Sequence, residues 1–443
     1  MLRRSVLVIG LVMAMSLPTA AVSAQVPTGL EQITLHPADG TTFVFQGRRY
    51  GGTMSIQPLS DGLAIVEEVP LDSYLAGIRE VPFSWPEQTL AAQAVAARTY
   101  LAWTLARGRT ASGSRIGYDI CASTACQVYA GIASSSDVDR WTAAVAATSG
   151  EILVYNGSPA QTLYSSSSGP RTRTSSDIWG GSSLPYLQSV ESPEQGVTPY
   201  WDWQVEIPVE AFGRILRAAG FDIGADVRFV RVRSTPDDGG PWFMDVATES
   251  GVTSIPNADV RWIFNGAGQE LYPGLLPASR PSGGRWPQAI LSYTFTIEYE
   301  EPASSRSPRL ERLLPPSDRP DSGSVTFFGT GWGHGIGMSQ WGANAMGAAG
   351  SSYVEILGHY YGGLEPVVRD DLVPESVLVG LAWGRGEIAI DATGVFEIRA
   401  NGVPVADLPA GEWAFRRTAS GLTIVPPAER EGIVGFEQRR WPR

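Results

Sequence analysis

Lysine is absent from this chain of 443 residues, so its 33 basic residues are all arginine, which we interpret as a GC-rich codon bias rather than a functional signal. Histidine is scarce as well. His36, His334 and His359 are the only three histidines, and they are scattered along the sequence. Because a structural zinc site needs about four ligands close together, the sequence predicts neither a bound metal nor a cofactor.

Positive charge and long apolar runs are also in short supply. The 45 acidic residues give the chain a net charge of −12, which argues against nucleic acid or an anionic membrane as a bulk electrostatic partner. An anionic polymer would have to meet a local cluster of arginines. Beyond the N-terminus no apolar run approaches the roughly 20 residues of a membrane helix, and no other membrane span is predicted.

The first 24 residues have the pattern of a secretory signal peptide. A pair of arginines at positions 3 and 4 precedes an apolar stretch over 5–17, and a small-residue cleavage site ends at Ala24. We therefore expect an exported protein that begins near Gln25. An uncleaved signal anchor is the alternative.

Cysteine is limited to Cys121 and Cys126. In an exported protein, an isolated pair with four residues between its members most simply forms a small-loop disulfide. Free thiols or a metal site are the alternatives, and a metal would need further ligands from distant parts of the chain.

Apolar periodicity and turn residues predict an α+β fold, with mixed helices and antiparallel strands in one large domain and a small β-rich C-terminal extension. We divide the chain into a leader over 25–41, a main domain over 42–370 and the extension over 371–443. A segment rich in Pro, Ser and Arg, at 302–323, is expected to be an exposed insertion.

Local patterns predict strands near 42–46 and 62–66 and a hairpin at Asn156-Gly157. Capping boxes are predicted at Ser84–Glu87 and at Ser352–Glu355. The predicted helices cover 70–78, 87–106, 139–148, 209–219 and 352–361.

The segment from Gly329 to Ala343 reads Gly-Thr-Gly-Trp-Gly-His-Gly-Ile-Gly-Met-Ser-Gln-Trp-Gly-Ala. Glycine is costly in regular elements and is placed where the backbone takes unusual angles or approaches a ligand closely. His334 therefore lies where little side-chain bulk covers it, between flat aromatic side chains. This composition favours a site for an extended ligand that contains rings.

Two parts of the chain resemble the sporulation stage II protein D domain, whose family includes the amidase enhancer proteins. The first is Val-Pro-Leu-Asp-Ser-Tyr-Leu-Ala-Gly-Ile-Arg-Glu-Val-Pro at 69–82, followed by Leu-Ala-Ala-Gln-Ala-Val-Ala-Ala-Arg-Thr-Tyr at 90–100; the second is the glycine-rich segment at 331–343. Three further pieces fit between them in the expected order, at 126–131, 164–169 and 185–187. The resemblance extends from about Thr42 to Gly363.

The resemblance implies an α+β domain that acts on bacterial cell-wall glycan. Enzymes of this family are lytic transglycosylases that prefer strands stripped of their stem peptides. Their catalytic acid lies at the end of the first motif, and the matching position here is Glu80. The family commonly has a basic residue where this chain has Ala91, so one charge that contacts the substrate is missing.

Glu80 can also be assessed from its neighbours. The residues at 78–85 are mainly apolar, and Arg79 is the only other charged residue among them. Apolar surroundings raise the pKa of a carboxyl group, and a proton held near neutral pH is what a general acid requires. Position alone favours an exposed acid at a helix end; the family resemblance favours catalysis.

Further polar residues are candidates for substrate contact. They are Gln93, Arg98, Tyr164, Ser166, Ser167, Arg171, His334, Ser339 and Gln340. Arg98 lies in an alanine-rich helix and needs a partner, which could be Glu80, the lactyl carboxylate of muramic acid or another structural group. For His334 the alternative is bonding to backbone carbonyls in a tight glycine turn.

Aromatic side chains near these motifs could stack on pyranose rings or form ordinary core. They are Tyr164, Trp179, Tyr186, Trp332 and Trp341. The serines at 165–168 do not suggest a nucleophile, because the chain has no Gly-x-Ser-x-Gly elbow with a matched His and Asp order.

The leading hypothesis is a secreted, wall-associated lytic transglycosylase that cleaves peptidoglycan glycan strands with Glu80 as the single acid and base. The second is a non-catalytic protein that binds the cell wall and recruits or enhances an N-acetylmuramoyl-L-alanine amidase. A structural wall protein is a third. Glu80 separates the first two, because a protein that only binds needs no acid in an apolar pocket.

Overall fold

The computed structural model describes residues 32–132, 138–224, 226–234, 241–302, 323–418 and 421–426. The predicted signal peptide and almost all of the predicted insertion at 302–323 lie outside these residues. The strands are β1 (Ile33–Pro37), β2 (Phe43–Phe45), β3 (Arg48–Tyr50), β4 (Thr53–Leu59), β5 (Gly62–Pro70), β6 (Ile120–Cys121), β7 (Glu151–Tyr155), β8 (Ser158–Pro159), β9 (Tyr164–Ser165), β10 (Trp203–Pro208), β11 (Val227–Ser234), β12 (Pro241–Thr248), β13 (Gly251–Pro256), β14 (Phe295–Glu300), β15 (Ser324–Gly329), β16 (Met338–Ser339), β17 (Pro366–Val368), β18 (Ser376–Arg385), β19 (Glu387–Ala392), β20 (Phe396–Ala400), β21 (Val403–Leu408), β22 (Gly411–Thr418) and β23 (Gly421–Val425).

Helices fall between these strands in the order expected of an α+β protein, and that fold class is confirmed. They are α1 (Leu71–Ala76), α2 (Glu87–Ala106), α3 (Ala111–Ile116), α4 (Val138–Ala147), α5 (Ser175–Trp179), α6 (Val209–Ala218), α7 (Asn257–Ile263), α8 (Gln269–Leu271), α9 (Gln340–Ala348) and α10 (Tyr353–Tyr360). Among the residues described, none of these helices has the length and hydropathy to cross a membrane.

A seven-stranded sheet with the order β21-β20-β1-β4-β5-β18-β6 forms the base of the domain. Its strand β1 lies within the range assigned to the leader, so that range contributes to the sheet from Ile33 onward. The reason is visible in the alternation of Ile33 and Leu35, which are both fully buried, with more exposed residues between them; this is the pattern of a strand with one face on a core.

The C-terminal extension is β-rich, but it is not an appendage. Strand β18 pairs with β5 from Ser376↔Pro70 to Arg385↔Leu63. Strand β20 pairs with β1, and β19 pairs with β2 in a second sheet of order β23-β22-β19-β2-β3. The N-terminal and C-terminal strands therefore build the same two sheets.

Helix α2 connects this base to the glycine-rich segment. Leu90, Ala94, Ala97 and Leu101 pack into the core above the large sheet. The opposite face packs with α9 and α10 in a separate core cluster. The predicted capping box at its start is wrong: the N-cap is Pro86, without a side-chain cap bond, because the helix begins at Glu87 and leaves Ser84 two residues before the cap.

The part of the chain over 200–300 packs around a core of its own. The sheets β10-β15-β14 and β11-β12-β13 enclose aromatic and aliphatic side chains together with α6 and α7. Strand β15 leads directly into the glycine-rich segment, so this core fixes the point at which that segment enters the site.

Candidate active site

The backbone around Glu80 is held by a short antiparallel pairing that follows α1. Residues 77–80 run beside 128–131, with a bridge between Ile78 and Tyr129. The Arg79 amide donates to the Val128 carbonyl at 2.8 Å, and in return the Val128 amide donates to Glu80 Oε1 at 2.6 Å. The carboxyl group is thus fixed by the backbone on which it sits.

A hydroxyl group provides the second contact to this carboxyl. Tyr164 hydrogen-bonds to Glu80 through its side chain. Gln127 Nε2 donates to the Tyr164 hydroxyl oxygen at 2.9 Å, while Tyr74 donates to Gln127 Oε1 at 2.7 Å. Since the Tyr164 oxygen accepts from Gln127, its own hydrogen is free to point at the carboxylate.

The pKa of Glu80 is raised above its ordinary value. Burial is the main cause, and it outweighs the opposing effects of the Val128 amide and the Tyr164 hydroxyl. The side chain is nevertheless only partly buried, so a ligand can reach it. A carboxyl group that keeps its proton at higher pH and remains accessible has the properties of a general acid.

Two local features keep the Glu80 partners in place. Cys121 and Cys126 are joined by a disulfide with a Cα–Cα distance of 5.5 Å, directly before Gln127 and Val128. On the other strand, a Cβ added at Gly77 would overlap the ring of Tyr129. Only glycine therefore allows the two chain segments to come this close.

The glycine-rich segment wraps around Tyr164. Strand β16 pairs in parallel with β9, matching Met338 to Tyr164. The turn before β16 requires glycine, because Gly333 and Gly337 have φ values of 116° and 71°, and a Cβ at Gly333 would meet Ser165 at 2.6 Å. The glycine-rich segment thus positions Tyr164, whose hydroxyl bonds Glu80.

His334 is bonded to the backbone on both sides of its ring. The Ile336 amide donates to Nδ1 at 3.0 Å, and the ring also bonds the backbone of Tyr164. Burial first and Arg261 second lower its pKa to about 4, against the opposing effect of the Tyr164 bond. The arrangement corresponds to the alternative interpretation, a neutral histidine that stabilises a glycine turn, with Trp179 at 5.4 Å from its ring.

Two of the predicted substrate-binding serines are buried. Ser167 and Ser339 are 0% exposed and donate to Glu194 at 3.0 Å and 2.6 Å. Ser339 also caps α9 by accepting from Gly342. Both hydroxyls are thus bonded inside the protein, and their contact with glycan stays a prediction.

Glu194 is the organising residue of this serine cluster. Besides the two hydroxyls, it accepts from the backbone amides of Ser168 and Gly169, and burial raises its pKa to about 6. Nothing in the sequence around Glu194 distinguished it. Glu67 is likewise 0% exposed, and its carboxylate accepts from the Tyr129 hydroxyl and the Gly52 amide.

Arg98 is 1% exposed and has a structural role. Its guanidinium donates to the carbonyls of Glu151 and Val145 at 3.1 Å and weakly to Thr148 Oγ1. It makes no described ion pair with Glu80. Its contact with the substrate stays a prediction.

The remaining candidates differ in accessibility. Gln93 and Gln340 are buried and bonded to each other at 3.3 Å, next to the glycine-rich segment. Arg171 is exposed and pairs with Glu191 at 3.6 Å. Ser166 is partly exposed and accepts the Trp341 amide through its backbone carbonyl. The substrate roles of these four residues stay predictions.

Partly exposed aromatic rings continue from Tyr164 along α2. Tyr100 lies 6.5 Å from Tyr164 and 5.7 Å from Trp103, and the Arg107 guanidinium covers the Trp103 ring at 4.5 Å. We call Tyr164, Tyr100 and Trp103 the aromatic track. By contrast, Tyr186 is buried, with its hydroxyl bonded to the Gln161 amide, and does not face a ligand.

Metal ligands and cavities were also considered in locating the candidate site. In the described part of the chain, no three His, Cys, Asp or Glu side chains come close enough to hold a metal ion. A cavity of about 880 Å³ opens beside Trp203 and Phe328, but its lining includes neither Glu80 nor Tyr164. We therefore place the candidate site at Glu80 on chemical grounds rather than by cavity size.

Comparison with known proteins relates part of the chain to a sporulation protein family. Residues 60–155 match the model of the SpoIID family, described as stage II sporulation protein. This confirms the resemblance inferred from the motifs, and Glu80, Gln127 and Val128 lie within the matched segment.

Individual relatives agree with this assignment. The amidase enhancer of Bacillus subtilis (strain 168) is 29% identical over 293 residues, which are 64% of this chain but only 38% of that protein. An uncharacterized protein of Brachyspira hyodysenteriae is 26% identical over 344 residues, covering 76% and 77%. Stage II sporulation protein D of Bacillus amyloliquefaciens is 27% identical over 314 residues, covering 68% and 75%.

Proposed function

We propose that this protein is an exported lytic transglycosylase that cleaves the glycan strands of peptidoglycan with Glu80 as both acid and base. One observation carries the proposal. Glu80 is an accessible carboxyl group with a raised pKa, held by an amide and a hydroxyl rather than by a cation. An arginine partner would keep it ionised and would make it a poor acid.

The reaction needs no second carboxylate. Glu80 gives its proton to the glycosidic oxygen as the bond from that oxygen to muramic acid C1 breaks. The resulting carboxylate then takes the proton of the C6 hydroxyl on the same muramic acid, whose oxygen bonds to C1. No water is consumed, and the product ends in a 1,6-anhydro ring. A hydrolase would need a second acidic residue to activate water or to act as the nucleophile.

Tyr164 supports the ionised half of this cycle. Its hydroxyl donates to the carboxylate that remains after the first proton transfer, as does the Val128 amide. Hydrogen bonds to the charged form lower the free energy of that form. The two donors thus limit how far burial can raise the pKa, so that Glu80 can both release and recover a proton.

The second candidate is a wall-binding protein that enhances an amidase. The relative named amidase enhancer favours it, and the aromatic track could bind glycan without any reaction. Under this hypothesis the Glu80 carboxyl would be dispensable, whereas the exposed rings would not.

Mass spectrometry of glycan products separates the two. Purified cell walls, native or stripped of stem peptides, are digested with the wild-type protein, with Glu80→Gln and with Glu87→Gln, an exposed acid in the first turn of α2. We expect 1,6-anhydro ends with the wild type and Glu87→Gln and none with Glu80→Gln. Retention of activity in Glu80→Gln, or wall binding without new ends in the wild type, would overturn the proposal.

A further inference from the structure

A second cavity, of about 740 Å³, lies on the other face of the segment that carries Glu80. Arg79, Val81 and Phe83 line it from that segment, whereas Glu80 faces away from it toward Val128 and Tyr164. The opposite wall comes from the β2–β3 hairpin and from the end of the 128–132 segment. Its remaining lining residues are Val44, Gly47, Arg48, Arg49, Pro82, Ala130 and Ile132.

Three guanidinium groups border this cavity, and their described partners are neutral. Arg79 donates to the carbonyls of Ala76, Ile78 and Gly131 and lies 5.0 Å above the Phe83 ring. Arg48 donates to the Tyr129 carbonyl at 3.3 Å. Carbonyl groups satisfy donors without cancelling charge, and among the residues that the structure describes no carboxylate pairs with Arg48, Arg49 or Arg79. In a chain of net charge −12, this is the local arginine cluster that an anionic ligand requires.

Apolar surface makes up the rest of the cavity wall. Val81 and Phe83 are buried lining residues, and Ile132, which also lines the cavity, has 49% of its surface exposed. A polyol phosphate polymer offers charge but little apolar surface. A short peptide that combines methyl groups with free carboxylates matches both the arginines and the apolar wall.

The distance between Glu80 and the cavity, across the segment that carries Glu80, suits a ligand attached to the glycan. Glu80 and the cavity are separated by one extended chain, and adjacent extended chains lie about 4.8 Å apart. A peptide of three or more residues can span about 10 Å or more. A stem peptide on a muramic acid bound at Glu80 is therefore long enough to pass over this chain into the cavity.

We propose that the arginine cavity bordered by Arg48, Arg49 and Arg79 binds the carboxylates of the stem peptide carried by the glycan substrate. This rests on the proposed function, and it sets this protein apart from relatives expected to prefer stripped strands. The stem peptide would be a positive determinant of recognition for this chain.

Equilibrium binding to soluble glycan fragments tests the proposal without depending on catalysis. The protein carries Glu80→Gln throughout, and it is titrated with fragments that bear stem peptides, with the same fragments after the peptides are removed, and with a soluble polyol phosphate polymer. Arg49→Ala and the double variant Arg48→Ala/Arg49→Ala are compared with Arg228→Ala. Arg49 and Arg228 are both exposed, and each single substitution removes one positive charge.

We expect peptide-bearing fragments to bind about tenfold more tightly than stripped ones, a difference of about 1.4 kcal/mol. Arg49→Ala should remove most of this difference, the double variant should abolish it, and Arg228→Ala should leave it unchanged. Equal affinity for both fragments would overturn the proposal. It would also be overturned if Arg49→Ala and Arg228→Ala reduced the affinity for peptide-bearing fragments equally. Arginine-dependent binding of the phosphate polymer alone would overturn it as well. If the Glu80→Gln protein binds as expected but the wild type produces no anhydro ends, the proposed reaction fails and the peptide site stands.

Discussion

A single hydroxyl group sets the balance between the two states of the candidate acid. The Tyr164 hydroxyl hydrogen-bonds to Glu80 and lowers its pKa against the larger effect of burial. In Tyr164→Phe the carboxylate loses this donor, so the pKa of Glu80 should rise further and the pH at which the rate falls on the alkaline side should move upward. Because a hydrogen bond to a charged group contributes about 1.5–3 kcal/mol, we expect the release of anhydro ends to slow by about tenfold or more.

The pH dependence of that release, measured from pH 5 to pH 9, distinguishes a role in the proton transfer from a role in packing. Tyr353→Phe is the matched control, because its hydroxyl also donates to a carboxylate, that of Glu151 at 3.2 Å, away from Glu80. A Tyr164→Phe profile with a lower rate but an unchanged alkaline limb would show that the hydroxyl does not act on the acid.

Glu194 gives the protein a titration that affects its stability. Burial raises its pKa from 4.5 to about 6, so the folded state binds this proton more tightly than the unfolded state does. Its contribution to stability is therefore fully present below pH 4.5 and is lost as the pH rises through 6, at a cost of about 2 kcal/mol. The pKa of His334 is lowered to about 4, so its contribution to stability is lost as the pH falls. The contribution of Glu194 must therefore be measured as the difference in unfolding free energy between the wild type and a Glu194 variant.

Urea unfolding of the wild type and of Glu194→Gln between pH 4 and pH 7 supplies that difference. Glutamine is uncharged throughout, so the stability advantage of the wild type should shrink by about 2 kcal/mol between pH 4.5 and pH 6.5. Glu298→Gln changes an exposed strand residue. The free energy of unfolding of this variant should differ from that of the wild type by the same amount at every pH. A constant offset for Glu194→Gln across the range would mean that this carboxyl does not titrate as described.

The same residues show what could be predicted from sequence. Glu80 and Tyr164 could be named as candidates because they lie inside short motifs that the family resemblance marks. Gln127 lies in such a motif too, but its bond to Tyr164 depends on packing between distant segments. Glu194 has no local signal, because the four donors that surround it come together only when the glycine-rich segment folds against the serines. The partners of Arg98 could not be predicted, since a sequence does not show which backbone carbonyls are left without donors.

At the scale of elements, the site depends on the close approach of α1's C-terminal end to the segment that follows the disulfide. Gly77 allows this approach, because a Cβ there would overlap the Tyr129 ring, which is stacked on Tyr74 at 5.1 Å. Gly77→Ala must push the ring aside and disturb the bond from the Tyr129 hydroxyl to Glu67. Overpacking of this kind costs about 1–3 kcal/mol, and we expect a corresponding fall in the thermal midpoint.

Thermal unfolding of Gly77→Ala beside Gly274→Ala isolates the steric effect. Gly274 is exposed, and a Cβ added there meets nothing within 4 Å, so its substitution should leave the midpoint nearly unchanged. Equal midpoints for both variants would show that the Tyr129 ring yields without cost. Glycine content alone could not have identified Gly77, because its importance comes from an aromatic ring 52 residues later in the chain.

Helix prediction succeeded where periodicity and composition agreed, whereas a four-residue capping pattern was a correct guide at one helix and a wrong one at another. Helix α2 begins and ends as predicted, since its alanine and leucine residues favour a helix and both of its faces find a core. The capping box at Ser352 and Glu355 is present, whereas the one at Ser84 is not. Proline at position 86 takes the N-cap in the second case and supplies no side-chain acceptor.

For the whole molecule, the division into domains was the part of the sequence interpretation that topology changed most. The C-terminal strands were expected to form an extension, but β18 lies between β5 and β6 in the large sheet, and β20 lies beside β1. Strand pairing across more than 300 residues leaves no local pattern. Each C-terminal strand has ordinary alternation, and nothing in that alternation identifies its partner.

This topology predicts that a stable main domain cannot be obtained by removing the extension. A chain ending at residue 370 loses Val377, Val379, Ile388, Ile390, Phe396 and Phe415, which are at most 1% exposed. At about 1.5–3 kcal/mol for each buried side chain, their loss is comparable with the roughly 5–15 kcal/mol that holds a typical domain together.

Truncation therefore distinguishes an integral sheet from an attached module. We expect the chain ending at residue 370 to show no cooperative unfolding transition and to be cleaved rapidly by a protease at β5, whereas a chain ending at residue 426, which keeps every described strand, should unfold as the full chain does. Strand β5 leads into α1 and from there to Glu80, so loss of β18 should also remove glycan cleavage. A truncated chain that unfolds cooperatively and still forms anhydro ends would show that β5 and α1 hold the acid in place without their C-terminal neighbour.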